Sequence, residues 1–223
     1  MKNATVKTDV VAKYLESFRR EGIVAGLYFS ILDLTQGVSR NVPFTEDHAA
    51  FIEKQVTELL TQYGEIPFLM VDGWNSPWGG PSFKDFPFSR LDKLVKSLQP
   101  DCLLLNIGWP HSLEGTDICF YENAAGQEVK GTFSGPGVSC NKLTGSWFHR
   151  DGDGEKPTKT ADWAVEKAHA YFPMNINFML NISPDENGDV DDNLVKTFEE
   201  IGSKIKFPEP LTTLPEGWLK ANR

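Results

Sequence analysis

The sequence predicts an α/β fold built on a parallel sheet, and three observations carry that prediction. Short apolar runs of strand length alternate with amphipathic runs of helix length, the rhythm of βα units. The segments after several apolar runs are long and rich in Gly, Pro and aromatic residues, which is how α/β proteins furnish the carboxyl ends of their strands. The chain has 223 residues, enough for one α/β domain but somewhat below the roughly 250 of a complete (β/α)8 barrel.

The elements follow in order. Asp9 to Arg20 sets Val10, Val11, Tyr14, Leu15 and Phe18 at helical spacing, and Gly22 stops that helix before the apolar run Ile23 to Ser30, read as a buried strand. Thr45 caps a second helix in which Ile52, Val56, Leu59, Leu60 and Tyr63 recur every three to four residues until Gly64. Pro67 to Val71 is an apolar strand that ends on Asp72. A third helix, Ser89 to Leu98, precedes a strand at Cys102 to Ile107, and Thr116 to Tyr121 and Asn175 to Ile182 read as further strands. Helices near Thr160 to Tyr171 and Asp191 to Ile205 flank the last of these, with Asp191 as a cap. Gly73 to Phe88, Gly108 to Glu114 and Ala124 to Lys159 read as long loops. Residues 207–223 carry Pro208, Pro210 and Pro215 and are expected to pack as an irregular extension on a single domain of residues 1–206.

Composition excludes several classes. A net charge of −9 and no clustered basic face argue against a nucleic-acid partner. No run of about 18 apolar residues and no apolar stretch at the N-terminus exist, so neither a membrane span nor a secretion signal is expected, and the sequence reads as a cytoplasmic protein. Cys102, Cys119 and Cys140 are odd in number and widely spaced, which predicts free buried thiols and not a disulfide frame or a zinc site. No metal or cofactor is implied, because GxGxxG, Walker A, HExxH and GxSxG patterns do not occur. Asp185 to Asp189 departs from an EF-hand loop, with Val190 and Lys196 where Gly and Glu are required, and Asp151 to Glu155 reads as a flexible turn.

The chemistry-bearing candidates cluster around strand ends. Phe68 to Trp74 puts the Asp72 carboxylate at the end of a buried strand beside Gly73 and Trp74, a catalytic position in many barrels, although an Asp there also serves simply to cap a turn. Trp74, Trp78, Phe83, Phe86, Phe88, Trp109, Phe120, Tyr121, Trp147 and Phe148 crowd the neighbouring segments, a surface suited to the apolar face of a sugar. A retaining glycosidase needs two carboxylates about 5 to 5.5 Å apart. Asp72 fits the nucleophile, and Glu122, after the strand at Tyr121, or Glu114 in the preceding loop fits the acid. His111, after Trp109 and Pro110, and His149, after Trp147 and Phe148, are candidates for hydrogen bonds to hydroxyl groups.

The order of motifs resembles the catalytic domain of glycoside hydrolase family 29, the retaining α-L-fucosidases. Gly26-Leu27-Tyr28-Phe29-Ser30 resembles the family's GLYYS-like strand, Gln55 to Gly64 its QLxELLTxYG helix, and Phe68 to Trp74 its LWFDGW strand. Gln99-Pro100-Asp101, Gly145-Ser146-Trp147-Phe148 and Asn177 to Gly188 resemble its QPD, SWGY and NLLLNIGPDxxG segments, in the same order.

The resemblance implies an incomplete (β/α)8 TIM-like barrel with about six recognisable strands. It implies that Asp72 attacks the anomeric carbon of a fucoside to form a covalent glycosyl-enzyme. Tyr28, Trp74 and Trp147 fall on segments that line the family's sugar pocket, with Trp147 as a wall for the fucose methyl group. Many members carry the acid just before the SWGY-like segment, where this chain has Val138, so Glu122 is the candidate and Glu114 the second. The family's two earlier strands, with HWG-like and KHHDGF-like histidine motifs, have no counterpart ahead of the first matching segment. Either the chain is a fragment or another copy covers the resulting opening; a homo-oligomer is the favoured expectation, with a fucosylated oligosaccharide or glycoconjugate as substrate. The competing expectation is a catalytically weak or inactive remnant of the same fold, fucose-binding or purely structural.

Overall fold

The computed structural model describes residues 7–39, 42–76, 79–108, 113, 116–129 and 135–213. The chain forms two compact units, residues 1–108 and 109–223.

In the first unit the elements run α1 (Val10–Arg20), β1 (Leu27–Ser30), α2 (Glu46–Gln62), β2 (Phe68–Asp72), α3 (Phe88–Leu98) and β3 (Leu103–Asn106). Helix α1 begins where the Asp9 carboxylate accepts the Ala12 N–H at 2.9 Å. It ends in a Schellman turn: Gly22, at φ 71°, donates to the Arg19 carbonyl, and Ile23 donates to that of Phe18. That turn explains a departure from the sequence expectation. Ile23 and Val24 leave it 52% and 67% exposed, and the strand begins only at Leu27. Thr45 caps α2 as predicted, in a reciprocal box where His48 Nδ1 accepts the Thr45 N–H at 3.1 Å.

Strand β2 lies parallel to β1 on one side and to β3 on the other. Alternation along the strands turns Leu27, Leu69, Val71 and Leu104 toward the helices, where they pack with Leu15, Ile52, Val56, Leu60, Leu91 and Val95. Gln99 ties these layers together: its amide donates to the carbonyls of Leu60 and Gly64 while its oxygen accepts the Ile66 N–H. One glutamine thus satisfies the end of α2 and the approach to β2. Arg90 on α3 binds Glu53 at 2.6 Å and Glu46 at 2.8 Å on α2, a fork that fixes the two helices laterally.

The second unit contains β4 (Ile118–Glu122), β5 (Gly137–Lys142), α4 (Ala161–Tyr171), β6 (Ile176–Asn181) and α5 (Asp192–Lys204). Strand β5 pairs in parallel with β4 and β6. It lies inside a segment that the sequence presents as loop, because Gly137, Ser139, Cys140 and Asn141 lack the branched and aromatic side chains that mark strands. Burial between two neighbours makes it a strand regardless: Gly137 to Asn141 are all buried. Phe178 and Leu180 of β6 pack with Leu143, Ala161, Ala164, Leu194 and Ile201 into the core of this unit.

Two further expectations change. Asp191 precedes α5 but makes no side-chain cap; its carboxylate is instead 3.4 Å from His149 Nε2. Asp153 is not in a flexible turn. It is buried, accepts the Arg150 N–H at 2.9 Å and binds Lys156 at 2.8 Å. Asp185 closes its own loop by accepting the N–H groups of Asn187 and Asp189, which holds its carboxyl below the usual range. In the described part of the C-terminal extension Phe207 rests on Phe172, with ring centroids 5.9 Å apart.

With three parallel strands in each unit and helices packed on them, the chain is an incomplete (β/α)8 TIM-like barrel. Among the described residues, no helix is long and apolar enough to cross a membrane.

All three cysteines are buried thiols outside any disulfide. Burial pushes the thiols of Cys119 and Cys140 up to about 11, from an ordinary value of 9.0. In mildly alkaline buffer the native protein is expected to react slowly with a thiol reagent, and all three cysteines to react at once in denaturant. Unfolded thiols lose protons first, so native stability should fall as pH rises between 9.0 and about 11. Rapid labelling of the folded protein would contradict this burial.

Candidate active site

The parallel register decides which side chains meet. Since Leu27, Leu69 and Val71 face the helices, Tyr28, Ser30, Met70 and Asp72 occupy the opposite face of the first unit's strands. Asp72 is the last residue of β2 and stands opposite Ser30, so Tyr28 is its diagonal neighbour across β1. The Tyr28 hydroxyl donates to Asp72 Oδ2 at 2.7 Å, and the Gly73 N–H donates to Oδ1 at 2.6 Å. Both carboxylate oxygens are therefore held, and the plane of the carboxyl is fixed.

Glycine is required next to this carboxylate. Gly73 has φ 111°, and a Cβ there would lie 2.8 Å from the Leu32 N atom. The loop returns just as closely at Gly80, where a Cβ would lie 1.9 Å from the Gly73 carbonyl oxygen. Asn75 N–H also bonds the Pro81 carbonyl at 3.0 Å.

Trp74 does not line an open surface. It is 4% exposed, donates its indole N–H to the Phe86 carbonyl at 2.7 Å, and stacks on Phe83 at 5.4 Å and Phe86 at 6.0 Å between centroids. The physical reason is the return of the loop, which lays its own aromatic residues over the indole and makes Trp74 part of the first unit's core. Its place is to brace the turn that carries Asp72.

In the second unit the same alternation leaves Phe120, Glu122, Val138, Cys140, Lys142, Met179 and Asn181 on the face away from the helices. Glu122 is the last residue of β4, paired with Cys140 in the register. Its peptide is gripped by Gln127, whose side-chain oxygen accepts the Glu122 N–H at 3.1 Å and whose N–H bonds the Glu122 carbonyl at 3.2 Å. Val138 is a buried strand residue with no acid-base capacity.

The segment after β5 is fastened from two directions. The Trp147 carbonyl accepts from Asn181 Nδ2 at 3.0 Å and from Ser183 Oγ at 2.6 Å. Asn193 Nδ2 on α5 bonds the carbonyls of Asp153 at 3.0 Å and Lys156 at 2.9 Å. The Lys142 ammonium lies 5.1 Å from the centre of the Trp147 ring. Phe148, 79% exposed, projects from the same anchored segment.

Of the residues expected in the site, Tyr28 and Asp72 are in direct contact, and His149 Nε2 lies 3.4 Å from the Asp191 carboxylate. Glu122, Trp147 and His149 lie in the second unit. His111 and Glu114, with Trp78 and Trp109, lie outside the described residues. Sequence reasoning passed over Gln127, Asn181 and Ser183 as working residues. The last two belong to a motif that was recognised as a string, but their partner is a carbonyl 34 and 36 residues away, which no local pattern encodes.

The comparisons with known proteins agree with this architecture. The family model Alpha-L-fucosidase matches residues 1–207. Alpha-L-fucosidase 1 of Arabidopsis thaliana is 26% identical over 218 residues, covering 86% of this chain and 41% of that protein. Among solved structures, alpha-L-fucosidase isoenzyme 1 from Paenibacillus thiaminolyticus has a TM-score of 0.70 at 22% identity, with 87% of this chain and 51% of that one covered. Alpha-L-fucosidase AlfC from Lactobacillus casei, in complex with alpha-L-fucose product, has a TM-score of 0.71 at 18% identity, covering 90% and 65%. The chain thus spans about two fifths of the Arabidopsis protein and from half to two thirds of these two bacterial chains. With the family model matched over nearly its whole length, the chain belongs to the alpha-L-fucosidase family of glycoside hydrolases.

Proposed function

We propose that the protein is a retaining α-L-fucosidase that acts on terminal α-L-fucosides of oligosaccharides or glycoconjugates. The observation that carries this reading is the Asp72 carboxylate at the end of β2, fixed by Tyr28 and the Gly73 N–H. In the first step an Asp72 oxygen attacks the anomeric carbon while Glu122 protonates the departing glycosidic oxygen, leaving a fucosyl ester on Asp72. In the second step Glu122 takes a proton from water, which attacks the same carbon from the face the leaving group vacated. Two inversions give net retention. Orienting the carboxyl in advance removes part of the entropic barrier to the first step. Trp147 offers an aromatic face to the sugar, and His149, with the Asp191 carboxylate 3.4 Å away, is suited to a hydroxyl group.

The reading also includes self-association, for which the exposed Val10, Ile23 and Val24 of the first unit provide apolar surface. The test is release of para-nitrophenol from para-nitrophenyl α-L-fucoside, followed by NMR of the sugar formed. Initial release of α-L-fucose is expected, and β-L-fucose as first product would refute retention. Fucose binding without release would leave only a binding protein. Light scattering on the same samples reads assembly, and an active monomer of 25.0 kDa would refute the oligomer.

A further inference from the structure

The lysines at the end of β5 and along α4 stand out in a chain of net charge −9. The Lys159 N–H bonds the Leu143 carbonyl at 2.9 Å, which brings Lys159 alongside the residue that follows Lys142. From Lys159 an alternating ladder runs down one side of α4 at four-residue steps: Lys159, Trp163, Lys167, Tyr171. The Lys159 ammonium is 4.2 Å from the Trp163 ring centre, and the Lys167 ammonium 5.9 Å from that of Tyr171. With Lys142 over Trp147, three ammonium groups are backed by aromatic rings.

None of the three has an ion pair with a carboxylate among the described residues, whereas Lys13 and Lys156 each have one and Lys204 has two. An ammonium carries three donors. Lys142 uses one on the Gly145 carbonyl at 3.3 Å, and Lys159 uses none on any oxygen among the described residues. Partial burial, with Lys142 and Lys167 as like-charged neighbours, holds the Lys159 ammonium below its ordinary range. A counter-anion relieves both the repulsion and the unspent donors. The place is also apt: Lys142 ends β5, and Lys159 stands just ahead of the first turn of α4, where the helix dipole is positive.

Resting on the fucosidase reading, we propose that Lys142 and Lys159 form an oxyanion subsite beside Trp147, so that the preferred substrates are fucosides bearing a sulfate ester or a carboxylate near the fucose unit. Lysines act here as point charges and favour either oxyanion over a neutral group.

The experiment has two arms. In the first, kcat/KM is measured for para-nitrophenyl α-L-fucoside and for aryl fucosides carrying a sulfate ester or a carboxylate on the ring. The anionic compounds should be favoured by about tenfold at low ionic strength, a difference of about 1.4 kcal/mol, and the preference should shrink in high salt. Lys159→Gln should bring the ratio toward one, and Lys54→Gln on α2 should leave it as in the wild type. A ratio near one in the wild type, or one indifferent to salt, overturns the proposal. In the second arm, inorganic sulfate and acetate are titrated against the protein with the lysine side chains followed by NMR. Saturable shifts at Lys159 that vanish in Lys142→Gln support the subsite, and the anion that causes them identifies the sulfate or carboxylate source. No shift with either anion overturns it. If no fucoside is turned over, the fucosidase reading fails, and the titration alone decides the oxyanion site.

Discussion

Asp72→Ala is expected to lower kcat/KM on para-nitrophenyl α-L-fucoside by at least about 10³-fold, equivalent to about 4 kcal/mol of transition-state stabilisation. The loss follows from the proposed chemistry, because without the carboxylate no fucosyl ester forms and water must attack unaided. The fold should survive. Tyr28 is 55% exposed, so its hydroxyl can turn to solvent once Asp72 is gone, and the melting temperature should barely move. Added azide separates the roles of the two carboxylates. In Asp72→Ala it occupies the vacated space and attacks the fucoside directly, giving the inverted β-fucosyl azide. In Glu122→Ala it attacks the ester on Asp72 after the aryl group has left, giving the retained α-azide. An Asp72→Ala protein with unimpaired turnover would refute the nucleophile assignment, and wild-type turnover of a natural fucoside by Glu122→Ala would refute the acid.

Trp74→Ala should instead act on stability, with an expected loss of about 3–5 kcal/mol. Removal of the indole leaves a hole bounded by Phe83, Phe86 and Phe88 and strips the Phe86 carbonyl of its donor. For a chain of this size each kcal/mol corresponds to about 2–4 °C, so thermal unfolding should shift down by roughly 6–20 °C. Trp74→Phe restores most of the packing but not the hydrogen bond, and its cost should fall to about 1–3 kcal/mol. A raised KM with an unchanged melting temperature would return Trp74 to the pocket wall that the motif suggests.

The contrast between these two neighbours shows what a motif conveys. The string Phe68 to Trp74 holds the proposed nucleophile and a residue of the core without saying which is which. Asp72 was legible because a carboxylate closing an apolar strand is unusual on a length scale of a few residues. Trp74 was not, because its burial depends on Phe83 and Phe86, delivered by a loop that doubles back through Gly73 and Gly80. Glu122 was legible as the end of a strand, but its grip by Gln127 was not, since an amide that closes on a peptide five residues back has no periodic signature.

By itself, the sequence determined the α/β class, the five strands rich in branched or aromatic residues, the helices with their Thr45 cap and Gly22 stop, and Asp72 as the leading carboxylate. Those features are local: spacing, capping and β-propensity act over a few residues. Only the tertiary structure decided that Gly137 to Lys142 is a strand, that Trp74 is core, that the Asp191 carboxylate lies near His149 instead of capping its helix, and that Lys159 is tied to the residue after Lys142. Each of these depends on burial or charge contributed by residues distant in the chain, which outweighs the weak local preference of the segment itself.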